Sequence, residues 1–515
     1  KDYAINSPSK TRSQIDVTID YQKIVSIEKN RISPMIIASF DIECTSEDGT
    51  FPNPHRKADE VIQIGTTFHK YGESKCYLKH IVTLKRCNPI EGKEEDPDEN
   101  TFVESYTTEK EVLIAWAKLI SRIDPDVITG YNIWGFDWTF LYERSLCKFN
   151  DNRGNYSELF LSKLSKVIDK PAKLKEKELR SAALGDNTLK WIDIEGVVQI
   201  DLLKLIQKDH NLDSYKLDAV AHTFMGLNKV DLSPKQLFAN YRDGSPEKIK
   251  EIAIYCIKDC ELVNHLIMKL EVIANNIGMG NVCLVPFSYL FMRGQGIKIF
   301  SVVAQICRQE NFLIKNIDKD SVDQSSYEGA IVFDPKPGVY FEPIAVMDYA
   351  SLYPSSMISE NISHDSIVSV KEYDLEDTLI KEDGDKKYDN LPNYNYSDIQ
   401  YDVFKLVVEN GKEDKKKVGY KVCRFAEHRN GDKALLPRTL RKFLKARKDT
   451  RKKIKYQTIT TNEGTECYGL LKEKEDLYEV HDVDTEQYTT VDKKDIKDIR
   501  ETYNDFEKAV LDGLQ

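Results

Sequence analysis

The chain has 515 residues, 31% charged and 41% hydrophobic, with a formal charge of −11. That length allows about three or four domains, and the acidic balance argues mildly against a general nucleic-acid coat while leaving room for acidic metal sites beside a basic face. No apolar run approaches the roughly 18 residues needed to cross a bilayer, the N-terminus lacks a signal-peptide core, and ten scattered cysteines without a Cys-x-x-Cys pair predict reduced thiols in an intracellular protein.

Residues 1–34 are polar, with apolar positions such as Ile15, Val17 and Ile19, and read as strands from the end of a preceding domain. The run from Pro34 to Phe40 then reads as a buried strand leading into Asp41 and Glu43, which period-two alternation puts on one face. Two like charges there repel unless metal ions or protons intervene. Ile123 to Asn132 reads as another strand, and Asp137 falls near the start of a helix predicted from Asp137 to Glu143. A periodic helix from Ile249 to Leu270 carries Tyr255 and Asp259 as i and i+4 neighbours; Cys256 and Cys260 on it are assigned to packing. Four carboxylates and a phenol suit phosphodiester hydrolysis with two divalent ions about 3.5 to 4 Å apart, Tyr255 orienting the attacking water.

Further on, Tyr327-Glu328-Gly329-Ala330 precedes a strand-like Ile331 to Phe333 and a turn-rich stretch to Gly338. A glycine there lets another backbone or a phosphate come close, and is equally a plain turn residue. The run Ile344 to Met347 predicts a buried strand with Asp348 at its end and a turn at Pro354 opening a helix. A carboxylate so placed, followed by turn amides, can hold a divalent cation and receive phosphate oxygens, which suits a nucleoside triphosphate. The charge-rich stretches 374–389 and 409–417 read as solvated loops.

Leu435 to Lys455 holds ten Lys or Arg among 21 residues. Pro437 suits a first helical turn, and Leu440, Phe443 and Leu444 form a stripe that Arg447 and Arg451 continue on the core-facing side. A buried guanidinium needs an anion, and a triphosphate supplies one. After a variable segment from Tyr456 to about Thr490, Ile496, Ile499, Tyr503, Phe506 and Val510 recur at steps of three and four, predicting a second helix antiparallel to the first.

Phe40-Asp-Ile-Glu43, Asn132-x-x-x-Phe136-Asp137 and Tyr255-x-x-x-Asp259 resemble, in order, the three exonuclease motifs of the B-family (delta-like) DNA polymerases, including their large-DNA-virus members. The string from Asp348 to Ser355 resembles their motif A. Asp201-Leu202-Leu203, Asp213 to Ala221 and Arg293 to Lys298 are similar to the delta-type members as well. The resemblance implies a mixed α/β (α+β) multidomain chain. Its parts are a remnant of an N-terminal domain (1–34), an RNase H-like 3′–5′ exonuclease domain (35–275), a connecting segment with a partial palm (276–434) and a helical fingers hairpin (435–515).

By the same resemblance Asp41, Glu43, Asp137 and Asp259 bind the exonuclease metals and Tyr255 positions water. Asp348, with Tyr349 beside it, belongs to the polymerase metal site. The amides of Ser351 and Leu352 face the triphosphate, Tyr353 excludes a ribose 2′-hydroxyl, and Arg447 and Arg451 bind the nucleotide's phosphates; the family often has Lys at the second of these positions. Asn132, Tyr327, Gly329 and Ala330 contact DNA. The cofactor implied is Mg²⁺, with Mn²⁺ as substitute, and the partners are a DNA primer-template, deoxynucleoside triphosphates and a sliding clamp or other processivity factor. No membrane is involved; the location implied is the nucleus or a viral replication compartment.

The family's Lys-x-x-x-Asn-Ser-x-Tyr-Gly helix and Tyr-Gly-Asp-Thr-Asp-Ser hairpin do not occur before Gln515, and Asp482-Val483-Asp484-Thr485 resembles the second only superficially. The expectation is therefore a DNA-directed DNA polymerase whose proofreading exonuclease is present in this chain and whose polymerisation is not. Two other readings stay open: a natural half of a split polymerase or a stand-alone exonuclease, and a non-catalytic DNA-binding scaffold.

Overall fold

The computed structural model describes residues 3–25, 27, 32–73, 75–92, 101–146, 156–181, 185–227, 232–314, 326–327, 330–409, 412–503 and 508. Two compact units are formed, one by residues 1–276 with 286–293 and the other by 277–285 with 294–515.

The first unit opens with an antiparallel ribbon of β1 (Tyr3–Ile5) and β2 (Val17–Ile19). There follow β3 (Ile36–Cys44), β4 (Val61–Lys70), β5 (Cys76–Leu84), β6 (Thr101–Tyr106), α1 (Glu109–Ile123), β7 (Val127–Gly130), α2 (Asp137–Leu146) and α3 (Ser157–Leu164). A hairpin of β8 (Lys173–Ser181) and β9 (Gly185–Asp193) leads to β10 (Val198–Asp201), α4 (Leu202–Asp209), α5 (Leu217–Met225), α6 (Pro234–Asp243) and α7 (Pro246–Lys269). The central sheet has the order β10-β7-β3-β4-β5-β6. β3, β4 and β5 run as an antiparallel meander, and β7 and β10 join parallel to β3 through longer connections. This is the RNase H-like arrangement.

β4 is buried on both faces, so its sequence shows almost no polar alternation. The alternation persists in what each face meets. Thr66 accepts a hydrogen bond from the Trp116 indole of α1 at 3.0 Å. On the other face Gln63 donates to the Ile249 carbonyl of α7 at 2.9 Å, and Thr67 accepts from Asn264 of α7 at 2.6 Å. Gly65 sits between them, and a Cβ there would lie 2.7 Å from the Cys256 sulfur. The strand is thus bare where α7 comes closest. Gly65 pairs with Asp41 and Gln63 with Glu43, so both acidic residues of β3 share the α7 face.

Arg144 of α2 is almost wholly buried; it donates to both carboxylate oxygens of Glu109 at 2.7 and 2.6 Å and to the carbonyls of Pro54, Arg56 and Lys57. Glu109 also accepts the Val61 amide at 2.8 Å. This pair ties the 54–57 loop to the helices, and removing one partner leaves a buried charge. Arg144→Met is expected to cost about 3–5 kcal/mol, seen as a lower urea midpoint for the first unit; an unchanged midpoint would mean the pair supports nothing.

α8 (Val272–Cys283) passes from the first unit to the second, α9 (Tyr289–Met292) lies in the first, and α10 (Gln295–Glu310) in the second. The second unit continues with β11 (Ser326–Tyr327), α11 (Leu352–Ser359), β12 (Ile367–Tyr373), β13 (Leu379–Gly384), β14 (Tyr394–Glu409) and β15 (Lys412–His428), in a sheet of order β11-β14-β15-β12-β13. The charge-rich stretches expected as loops therefore contribute strands: β13, exposed along its length, and the first residues of β15. α12 (Leu435–Lys453) follows, its first amides accepted by the Asp365 carboxylate and the Ser363 hydroxyl rather than by a capping side chain at Ala434.

The predicted strand over Ile344 to Met347 is not formed. The residues form no strand, and Ile344, Val346 and Met347 are exposed by 67%, 90% and 95%. A strand is stabilised by its neighbours, and among the described residues none lies alongside this run.

The predicted second helix is replaced over its first part, where Ile496 and Ile499 lie in a strand. β16 (Gln457–Thr461), β17 (Glu466–Glu473), β18 (Leu477–Asp482), β19 (Gln487–Asp492) and β20 (Ile496–Glu501) form a sheet of order β19-β18-β17-β16-β20, with a 3₁₀ turn at Lys493–Asp495 before β20. β17 pairs with β16 through Glu466–Gly469 and with β18 through Leu470–Glu473, bending the sheet around Ile459, Val480 and Val491. This is the topology of a small SH3-like barrel. Ile496 and Ile499 both pack on that core because Lys497 is an extra residue in the pairing with β16, and the bulge turns a strand's step of two into three. Of the rest of the expected stripe, Tyr503 stacks on Tyr456 with ring centroids 6.3 Å apart, and Phe506 and Val510 lie outside the described residues.

Candidate functional site

β3 and α7 meet at an acidic pair, and the start of α2 is bonded to the strand between its two members. Asp41 and Glu43 are half-buried there, and their carboxylates and the Cys256 sulfur lie within 4.8 Å of one another. Asp137, at the start of α2, is buried and accepts the backbone amide of Ile42, between the two acidic residues, at 3.3 Å. Tyr255, the neighbour of Cys256 on α7, lines with Glu43 and Phe136 a cleft of about 390 Å³ whose other walls include Phe51, Leu237 and Phe238. Asp259, one turn further along α7, is buried. Of the predicted residues, Asp41 and Glu43 thus lie together, Asp137 is bonded to the residue between them, and Tyr255 lines the cleft with Glu43.

The turn that delivers Asp137 is held from outside the motifs. The Asp201 carboxylate, buried at the end of β10, accepts the amides of Asn132 at 2.9 Å, Trp134 at 3.0 Å and Leu203 at 3.1 Å. Asn132 has φ +66°, and a Cβ on Gly135 would meet its side-chain oxygen at 2.3 Å, so the turn closes tightly. The Tyr131 hydroxyl donates to the Tyr215 carbonyl, attaching the turn to the segment that opens α5. Asp201 stood out in the sequence only by likeness to delta-type members; its anchoring of the Asn132 turn had no local signal.

The electrostatics fit a cation. Burial, reinforced by the nearby Asp201 charge, pushes the Asp137 carboxyl up to about 7, and burial pushes Asp201 up to about 6 against its amide bonds. Burial also raises the Cys256 thiol well above its ordinary value, with Cys260, Asp41 and Glu43 adding to it, so it stays protonated and donates weakly to the Asp41 carbonyl at 3.5 Å. Clustered acidic oxygens, one of them costly to ionise unaided, suit a hard divalent ion better than a soft one. Cys256 was the neighbour that sequence reasoning assigned to packing alone.

The second predicted group is arranged differently. Asp348 lies in the exposed segment ahead of α11, and Tyr349 and Tyr353 are 78% and 82% exposed. Ser351, in the left-handed region at φ +56°, caps the start of α11, and Leu352 begins it. α11 packs on α12, where Arg447 and Arg451 are exposed rather than core-facing, and Phe443 of the supposed core stripe is half-exposed as well. Tyr327 pairs with Val403 of β14, Ala330 is exposed, and Gly329 lies outside the described residues. The Asp482 to Thr485 string is the β18–β19 turn, where Asp482 accepts from the Tyr456 hydroxyl and Asp484 pairs with Lys453 at 2.6 Å.

Among the described residues no helix is long and apolar enough to cross a membrane. Residues 3–220 match the profile of DNA polymerase family B, exonuclease domain, and residues 285–466 that of DNA polymerase family B. The chain is 42% identical to a DNA polymerase of Pyramimonas orientalis virus over 98% of its own length and 45% of the relative's. It is 30% identical to a DNA polymerase of Acanthamoeba polyphaga mimivirus over 78% and 32%. It is 35% identical to the DNA polymerase delta catalytic subunit of Glycine max over 71% and 32%. The chain thus spans about a third to a half of the length of the curated relatives it matches.

Proposed function

Because the chain belongs to DNA polymerase family B, we propose that it carries a 3′–5′ proofreading exonuclease and the motif A part of a polymerase site, within a DNA-directed DNA polymerase that serves DNA replication. The observation that carries the exonuclease reading is the convergence of Asp41, Glu43 and Asp137 beside a cleft walled by Tyr255 and Phe136. These oxygen donors would hold divalent ions, Mg²⁺ by preference and Mn²⁺ as substitute, whose chemistry there would be to activate a water and stabilise the leaving oxygen. Asp41 and Glu43 hold such ions from β3, and Asp137 and Asp259 from the flanking helices. The Tyr255 hydroxyl orients the attacking water. The apolar cleft seats the terminal nucleotide, with Asn132 near the strand's backbone.

For the polymerase half, Asp348 and Tyr349 supply a metal site, the amides of Ser351 and Leu352 face the triphosphate, and Tyr353 lies under the sugar. Exposed Arg447 and Arg451 of α12 reach the phosphates, and the Tyr327, Gly329 and Ala330 segment follows the template. The exposed run from Ile344 to Met347 suits a palm strand that gains its partners in a protein of the relatives' full length. The substrates are then a DNA primer-template and deoxynucleoside triphosphates, a sliding clamp is the expected partner, and the location is the nucleus or a viral replication compartment.

The test is a gel assay of the 515-residue chain on an end-labelled primer-template with a mismatched 3′ end. Stepwise shortening that requires Mg²⁺ or Mn²⁺ is expected; an intact primer with either ion would refute the reading. Gly65→Ala offers a finer check. Its Cβ would push on Cys256 and lift α7 with Tyr255, so cleavage is expected to fall about tenfold or more, since misplacements of about 1 Å weigh heavily. Adding Cys256→Ala should return part of the rate by making room; a double variant no faster than Gly65→Ala would contradict this packing argument.

A further inference from the structure

The barrel β16–β20 follows directly on α12, and its charge is opposite to that of the helix. From Gln457 to Glu501 there are thirteen Asp or Glu and six Lys or Arg, a net of −7; from Leu435 to Lys455 there are ten Lys or Arg and one Asp, a net of +9. The β18–β19 turn uses part of that difference, since Asp484 pairs with Lys453 at 2.6 Å and Glu486 with Lys445 at 3.7 Å. Tyr456 fastens the same turn, its hydroxyl donating to Asp482 at 3.0 Å and accepting the Val483 amide at 2.7 Å. Even with every basic residue of the barrel paired internally, its acidic excess remains.

Side chains alternate along the meander β17–β18–β19. Cys467, Leu471, Tyr478, Val480 and Val491 pack inward. The outward positions form a row, because Leu470 pairs with His481 and His481 with Tyr488. The His481 and Tyr488 rings stack at 4.2 Å, and Tyr488 is 64% exposed. Tyr468, two residues before Leu470 on the same face, is 55% exposed. Exposed rings attract ammonium and guanidinium groups through their faces. The net acidic charge of the barrel as a whole adds to that attraction and repels phosphate, so single-stranded nucleic acid, the other natural ligand of exposed rings, is disfavoured.

We propose that this barrel is a docking module for a Lys- or Arg-rich protein segment, seated on the row Tyr468, Leu470, His481 and Tyr488. The fold alone assigns no ligand; the rings and the charge do.

The test is fluorescence anisotropy with the whole 515-residue chain and two probes, a labelled twelve-residue peptide alternating Arg and Ala and a labelled dT oligonucleotide of the same length. Tyr468→Ala with Tyr488→Ala is expected to weaken the peptide about tenfold and leave the oligonucleotide and the nuclease rate unchanged. Tyr468→Phe with Tyr488→Phe, which keeps the rings, should bind the peptide as the parent does. Hydrogen exchange on the unsubstituted chain, independent of any effect of mutation on folding, should show slower exchange across β17–β19 when peptide is added. Peptide binding unaffected by loss of the rings, loss of oligonucleotide binding instead, or unaltered exchange in β17–β19 would each overturn the proposal.

Discussion

Replacing Asp41 and Glu43 together by Ala is expected to lower mismatch removal by about 10³-fold or more, equivalent to about 4 kcal/mol of transition-state stabilisation. The experiment is read on variant chain shown to be folded. Both side chains are only half-buried, they share the α7 face of β3, and in a metal-free buffer they repel each other at the same site as Asp137. Far-UV circular dichroism of the variant without metal checks that the sheet still forms. In the parent chain Mg²⁺ should raise the melting temperature, because an ion that binds only the folded state stabilises it, and in the variant that response should vanish. Cleavage that survives both substitutions would remove these residues from the chemistry.

The second large effect is expected at Asp201, which touches no substrate. Asp201→Ala leaves the buried amide of Trp134 without its acceptor, at about 1–3 kcal/mol, and those of the half-buried Asn132 and Leu203 as well. The turn that presents Asp137 then loses its anchor. A fall in cleavage of about 10²-fold should accompany a lower melting temperature, and Asp201→Asn, which keeps one acceptor oxygen, should recover much of both. The charge itself carries a pH signature. Its carboxyl is raised from 3.8 to about 6 in the folded chain, so between those values the folded state holds a proton that the unfolded state has released. The stability it contributes therefore falls as pH rises through that window, by about 3 kcal/mol once it is fully ionised. Urea midpoints of the parent should lose ground to those of Asp201→Asn between pH 4.5 and 7; a constant difference would show that burial does not govern this carboxyl.

The candidate site was legible in part from short spacings, while the meeting of its segments was an expectation that came from the family resemblance. Asp41 and Glu43 two apart on a strand, and Tyr255 and Asp259 four apart on a helix, fix their shared faces before any tertiary contact is known. What escaped depends on partners distant in the chain. Arg144 meets Glu109 across 35 positions and Asp201 meets Asn132 across 69, and neither residue differs locally from an ordinary helix or capping residue. Gly65 has meaning only once Cys256 lies over it.

Elsewhere the local pattern misled. Ile496 and Ile499 carry a helical step that a bulge at Lys497 produces in a strand, and Arg447 and Arg451 continue an apolar stripe that is itself half in solvent. Ile344 to Met347 has the composition of a buried strand and lacks, among the described residues, the neighbours that would make it one.

Cys256 gives the site a gauge of its own motion. Its thiol is buried under α7, protonated, and in contact with the strand that carries Asp41, so an alkylating reagent at neutral pH meets neither the exposure nor the thiolate it requires. Modification must wait for the helix to part from the sheet, and its rate then reports how often that parting occurs. A chain saturated with nucleic acid and metal, in which α7 is held down, should be labelled at this position more slowly than the same chain alone.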